Sequence, residues 1–324
     1  MISGSFSRVL MLGTLFPVTV FALLFYRIVV PFLPADLALF QILGTLDTAW
    51  TTALISLLLL LISGILYNLN IPIIRLYEGY PWQDSWLGGW AQKRQLAQLE
   101  WTIAKRTELE GLVEELEDAD PKDPAIAELT NLITLLTQRE TNEYPKAPYV
   151  LPTRLGNVIR SFEEYPRNVY GISAITVWPR LVGVVNKEYA ATLDESKATF
   201  DFMINASFLG GVLAASTLVA GLLVPHQIEL WTWVAQLATS AITAYLFYRG
   251  SVGAAAAWGA HVSSAFDLFR WDLLKKLGYA RPSMSPAEEQ ALWIEISTRM
   301  LYGPPPADTS LQPYYSAAKK LFED

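Results

Sequence analysis

Apart from Arg27, the side chains inside the long apolar stretches of this chain that could handle a solute are hydroxyls and amides. They include Thr14, Thr19, Thr51, Thr52, Ser56, Ser63, Asn205, Ser216, Gln236, Thr239, Ser240 and Thr243. Such groups can line a pore between apolar constrictions or bond a neighbouring helix. No Asp, Glu or Lys lies in the interiors of the stretches at 9–33, 49–67, 203–224 and 228–248, Glu229 sitting at the edge of the last. Proton-coupled transporters and ion pumps need membrane-embedded ionisable groups, so the pattern counts against them. The two halves also lack the matching broken helices of alternating-access transporters.

Other chemistries are excluded more simply. Cysteine is absent, which removes disulfides, thiolate metal sites and cysteine nucleophiles. Only His226 and His261 are present, so no His-rich metal site exists. No nucleophile–base pair or cofactor motif is visible, and we expect neither an enzyme nor a cofactor. Net charge is −7, with acid concentrated over 108–128, which argues against nucleic-acid binding.

The elements that must position these groups are four helices. Each stretch has roughly the 20 residues that cross a hydrocarbon core about 30 Å thick. The chain is 52% hydrophobic and only 17% charged, against about 25% charged in a soluble domain. Many of its 11 Trp flank the stretches (Trp50, Trp82, Trp86, Trp90, Trp231, Trp233), where an indole suits the headgroup boundary. The first stretch, preceded by Arg8, outruns a signal-peptide core and has no small-x-small site after it, so a retained span is expected.

Charge sets the expected orientation. Residues 34–48 carry Asp36 and Asp47 but no Lys or Arg, and 225–227 is Pro-His-Gln. Residues 71–200 hold 14 Lys/Arg and 249–324 hold 8. Positive charge stays inside, so both termini and the long central loop are expected in the cytoplasm, at a bacterial inner membrane. Arg27 ends the first span just before Pro31 and Pro34, a place from which it can snorkel to the outer interface.

The expected fold is an all-α membrane protein of two plus two transmembrane helices. Residues 1–70 carry spans one and two, and 71–200 form a cytoplasmic helical domain. Residues 201–249 carry spans three and four, and 250–324 form a helical extension and tail. Pro72 predicts a kink and an interfacial segment over 71–82. A hairpin is expected over 91–140. Its first helix has a stripe at Leu96, Leu99, Ile103, Leu109, Leu112 or Val113, and Leu116. Asp123 caps the second helix, with Pro124 at its first position and a seam at Ile126, Leu129, Ile133 and Leu136. The acidic face (Glu108, Glu110, Glu114, Glu115, Glu117) reads as solvated surface or, less simply, a docking site. The helix from Asp194 runs on into span three, and span four continues past Arg249 towards Leu277. Ser285, Pro286 and Glu288 form a capping box for a helix ending near Gly303, and the tail from Asp308 is polar.

Residues 144–182 are cut by prolines into short pieces: Pro152-Thr153-Arg154-Leu155-Gly156-Asn157, Tyr170-Gly171 and Trp178-Pro179-Arg180-Leu181. This pattern resembles a group of bacterial multi-pass membrane proteins with no assigned activity. Arg154, Arg160, Arg167 and Arg180, interleaved with aromatics, could form a basic surface near the inner leaflet or hold a phosphate-bearing ligand. Equally, they could bridge helices to carboxylates such as Glu163 and Glu164.

Ser207, Gly211 and Ala215 repeat at spacing four beside Ala206, Gly210 and Ala214, which suits close helix packing in lipid. The whole layout is similar to that of bestrophin-type anion channels, in topology and not in motif. The resemblance implies that span two lines a pore, with Ser56, Ser63, Tyr67, Asn68 and Asn70 as candidates and with Arg27 and Arg75 favouring anions. Two functions fit: a homo-oligomeric channel, or a non-conducting scaffold anchoring a cytoplasmic protein partner. Membrane lipid is a partner in both, through segment 71–82.

Overall fold

The computed structural model describes residues 11–32, 46–223, 229–279 and 285–303. Among these residues every element is helical. A π-turn at Met11–Leu15 leads into α1 (Phe16–Ile28), followed by α2 (Thr48–Asn68) and α3 (Asn70–Glu78). Next come α4 (Trp86–Ala119), α5 (Pro124–Glu143), α6 (Arg154–Tyr170) and α7 (Ala174–Leu181). Two long helices, α8 (Lys187–Leu223) and α9 (Leu230–Lys276), and finally α10 (Pro286–Tyr302) complete the chain. The expected connections at 34–48 and 225–227 fall largely or wholly outside the described residues, as does the tail from Asp308.

Three helical segments are long and apolar enough to cross a membrane: Met11–Phe32, Thr48–Asn68 and Lys187–Leu223. Their mean hydropathies are 2.0, 2.2 and 1.9. The fourth stretch forms the first half of α9, where Trp231, Trp233, Gln236 and several hydroxyls dilute the apolar character. The chain divides into an apolar unit, Met1–Tyr77 with Asp194–Ala255, and a polar unit, Glu78–Leu193 with Ala256–Asp324. Both α8 and α9 supply residues to each.

In the apolar unit the wide π-turn frees main-chain groups for side chains. The Gly13 carbonyl accepts from Asn205 Nδ2 at 2.8 Å, and Asn205 is wholly buried. Such single π-turns interrupt the i→i−4 ladder at defined places. At the other end of α8, the Trp233 indole donates to the Thr217 carbonyl at 2.8 Å. Its ring lies where a Cβ on Gly221 would be, 2.2 Å from the indole nitrogen.

The polar unit forms around α7, α9 and α10. Its core holds Ile172, Val177, Leu181, Phe266, Leu274, Trp293 and Ile296, each 0–2% exposed. Local signals set the boundaries. Asp123 accepts from Ala125 N–H at 2.8 Å and starts α5, as its sequence predicts. Ser285 and Glu288 form the expected capping box, with Ser285 N–H donating to Glu288 Oε2 at 2.7 Å. The Ser285 N–H and its hydroxyl, both donating to Glu288 Oε2, hold the Glu288 carboxyl below its ordinary value of 4.5. Helix α4 begins five residues before the expected 91, because Ser85 accepts from Gly88 N–H at 3.1 Å. The hairpin is tied by Arg106, which donates to Glu110 on α4 at 2.7 Å and to Glu140 on α5 at 2.9 Å.

Segment 71–82 lies in a short helix followed by a 3₁₀ turn. Leu69 ends α2, and Pro72 sits in the first turn of α3, where its missing N–H is harmless. Ile73 is buried and Ile71 and Leu76 are exposed.

Candidate functional site

The pore candidates on α2, with Asn70 at the start of α3, divide by exposure. Ser56 and Asn68 are exposed and Tyr67 is 38% exposed, whereas Ser63 and Asn70 are buried within the chain. Ser63 donates to the Leu59 carbonyl at 2.6 Å and Asn68 Nδ2 to the Gly64 carbonyl at 2.8 Å. The single Ser63 proton is thereby committed to its own helix, whereas exposed Asn68 keeps its second amide N–H and its side-chain oxygen. An anion needs donors, which the buried Ser63 does not offer and the second Asn68 N–H does. Arg27, in the last turn of α1, and Arg75, in the last turn of α3, are both exposed. Each is well placed against the negative end of its helix dipole.

The four arginines of the proline-rich region have different roles. Arg154 Nη2 donates to both oxygens of Glu143, at 2.8 and 2.9 Å. Arg160 pairs with Glu164 at 3.0 Å and lies over the Tyr149 ring. Arg180 donates to the Thr176 carbonyl at 2.7 Å, and both it and Arg167 are exposed. Two of the four charges are therefore engaged by carboxylates inside the polar unit.

The Pro-Thr-Arg-Leu-Gly-Asn segment is a clamp. Gly79, with φ 99°, turns the chain so that Pro152 packs 3.1 Å from where its Cβ would be. Thr153 caps α6 by accepting from Gly156 N–H at 2.9 Å, and its hydroxyl donates to the Glu78 carbonyl at 3.1 Å. A Cβ on Gly156 would lie 2.4 Å from that same carbonyl, so only glycine fits. Asn157, wholly buried, accepts from Leu151 N–H at 2.6 Å and donates to the Leu151 carbonyl at 3.2 Å. Gly171, at φ 75°, ends α6 and lies against the backbone of α10. Trp178 stacks near Phe266 in the core. The contacts to Glu78, Phe266 and α10 were opaque in the sequence because those partners lie far away along the chain, whereas the Thr153 cap and the Asn157 loop are local.

A second polar cluster joins α6, α9 and α10. Tyr165 and Tyr170 donate to Asp267 Oδ1 at 3.0 and 2.7 Å, and Arg270 donates to Glu289 at 2.7 Å. The Arg270 guanidinium stacks 4.1 Å from the Tyr170 ring centroid. Burial, and then the bond to the Asp267 carboxylate, push both tyrosine hydroxyls above their ordinary 10.0. A raised acid keeps its proton longer folded than unfolded, so this contribution to stability is full below pH 10 and falls as pH rises beyond it. Alkaline unfolding of the native chain should steepen above about pH 10, and Tyr170→Phe should flatten it. An unchanged profile in that variant would show that the cluster does not govern alkaline stability.

In the apolar unit, Ser207 donates to the Ala244 carbonyl at 2.9 Å. Its single proton is thus committed, so the Tyr77 hydroxyl, 3.1 Å away, donates to Ser207. Gly210 brings α8 onto α9, its missing Cβ being 3.2 Å from Ala244 Cα. Gly211 meets open space, and Ala215 is exposed. The row Ser207, Gly211, Ala215 is therefore split, with Ser207 packed within the chain and Gly211 and Ala215 looking outward. Between α1, α8 and α9 lies a crevice of about 460 Å³. Its walls are hydrocarbon and aromatic except on α9, where Thr232, Gln236, Thr239, Ser240 and Thr243 share one face. The candidates on α2 do not line it.

Among the described residues, no group of three or more His, Cys, Asp or Glu could hold a metal ion. Compared with known proteins, the chain matches no family model, no curated protein and no solved structure.

Proposed function

We propose that this chain is the protomer of a homo-oligomeric, channel-like protein of the bacterial inner membrane, with four spans and both termini in the cytoplasm. The fourth span is the first half of α9. The observation that carries this reading is the exposure of Ser56 and Asn68 on α2, whose mean hydropathy is 2.2. A polar group turned towards lipid is costly, and an axis shared by several copies gives it water or a partner. The outward face of Gly211 and Ala215 suits a close subunit contact. The bestrophin-like layout supports the same arrangement, and Arg27 and Arg75 supply the preference for anions.

The test is the mass of the complex in nanodiscs, followed by chloride flux in liposomes. A closed ring of several copies is expected, with flux changed at least about twofold by Asn68→Leu if the amide meets the ion path. A monomer would sink the reading.

A scaffold is the second reading, and one observation favours it. The hairpin of the polar unit leaves Trp101, Leu112, Leu132 and Leu135 exposed at 41–60%. Apolar residues on a water-facing element mark a surface for another protein. This reading expects no flux and a complex dominated by a different chain.

A further inference from the structure

We propose that the crevice between α1, α8 and α9 binds a membrane-dissolved amphiphile with a long apolar body and one uncharged hydroxyl. Its volume, about 460 Å³, falls in the range of roughly 300–1,000 Å³ occupied by small-molecule sites. Phe16, Val20, Leu24 and Leu213 give it the apolar walls such sites have.

The side-chain carbonyl of Gln236 names the polar end. This Oε1 is shielded from solvent and accepts no hydrogen bond among the described residues. The Ser240 hydroxyl, one turn on, donates instead to the Gln236 main-chain carbonyl at 2.8 Å. A shielded carbonyl without a donor is destabilising, and a ligand O–H removes that penalty once the flexible Gln236 side chain turns its carbonyl into the crevice. No charged side chain lines the crevice, Glu229 lying at its edge where it accepts from the Thr232 hydroxyl, so a charged head among the lining is disfavoured and an uncharged hydroxyl fits. A phospholipid tail fills the walls but offers the carbonyl no proton. A helix from a second copy, about 10–12 Å across, is too thick to enter.

The test uses the full chain in phosphatidylcholine nanodiscs with a diazirine-bearing octadecanol, the labelled residues being mapped by mass spectrometry. Label should concentrate on α1, α8 and α9 where they face the crevice. Oleyl alcohol or dioleoylglycerol should compete about tenfold better than octadecane, the worth of one net hydrogen bond. The better competitor of the two identifies a free alcohol or a glycerolipid as the source. Gln236→Leu, which removes the unbonded carbonyl at similar volume, should reduce this preference to within about twofold while octadecane still competes. Ala235→Phe, which narrows the crevice and keeps Gln236, should reduce labelling by every probe. Label spread evenly over all apolar helices would overturn the proposal. So would equal competition by octadecane in the native chain, or cross-links between copies across the crevice without any effect of alcohol. None of these readouts depends on flux or on the number of copies.

Discussion

Asn157→Leu should destabilise the polar unit by about 2–5 kcal/mol, because it strands two buried main-chain groups of Leu151 at once. In the native chain the Asn157 amide closes a six-residue loop, with Leu151 N–H and C=O bonded to its two ends at 2.6 and 3.2 Å. Leucine matches the volume of the side chain but offers neither an acceptor nor a donor. Aspartate separates packing from bonding. It keeps the acceptor for Leu151 N–H and loses the donor, and it places a carboxylate where exposure is 0%. Asn157→Asp should therefore unfold more readily at pH 8 than at pH 5, since protonation restores an O–H donor and removes a buried charge. Thermal melting and protease resistance of the two variants at both pH values check this. A leucine variant as stable as the native chain would show that the loop at Leu151 is held by other means.

Trp293→Ala should cost about 3–5 kcal/mol, the range found when a large aromatic is deleted from a packed core. Trp293 is wholly buried on α10, among Phe266, Leu274 and Ile296. Its indole N–H has no acceptor among the described residues. The residue therefore acts by volume alone, and Trp293→Phe should cost much less, about 1–2 kcal/mol, with no hydrogen bond lost. A phenylalanine variant as damaged as the alanine one would reveal an acceptor for the indole. Protease susceptibility of α10, measured against temperature, distinguishes the two results. Because the unit also buries Ile172 and Leu181, both 0% exposed, the damage should spread to α7.

Helix ends and helix lengths were legible from the residues because their causes are local. Asp123 before Pro124, and Ser285 three residues before Glu288, bond groups within one turn, and the structure shows both bonds. The unbroken helices through Asp194 and Arg249 follow from long runs without a proline. Three of the four apolar stretches are helices long and apolar enough to cross a membrane, because length and hydropathy are additive along the chain.

The rest depended on partners distant in sequence. The spacing of Ser207, Gly211 and Ala215 says that the helix is narrow there. Only packing against Ala244 shows that Ser207 and Gly210 face inward and Gly211 does not. Arg154 and Arg160 look like a basic surface in a row of letters, yet Glu143 and Glu164 engage them. The glycine before Asn157 has a reason only once the Glu78 carbonyl, 78 positions away by number, lies over it. Sequence alone determined that the apolar stretches and the hairpin are helical, because hydropathy and periodicity sum over neighbours. The prolines expected to cut 144–182 into short pieces, however, do not stop α6, which runs 17 residues through Pro166. Which faces meet, which glycine is indispensable and where a shielded carbonyl borders a crevice were decided by tertiary structure, because each is set by close contact between residues remote in the chain.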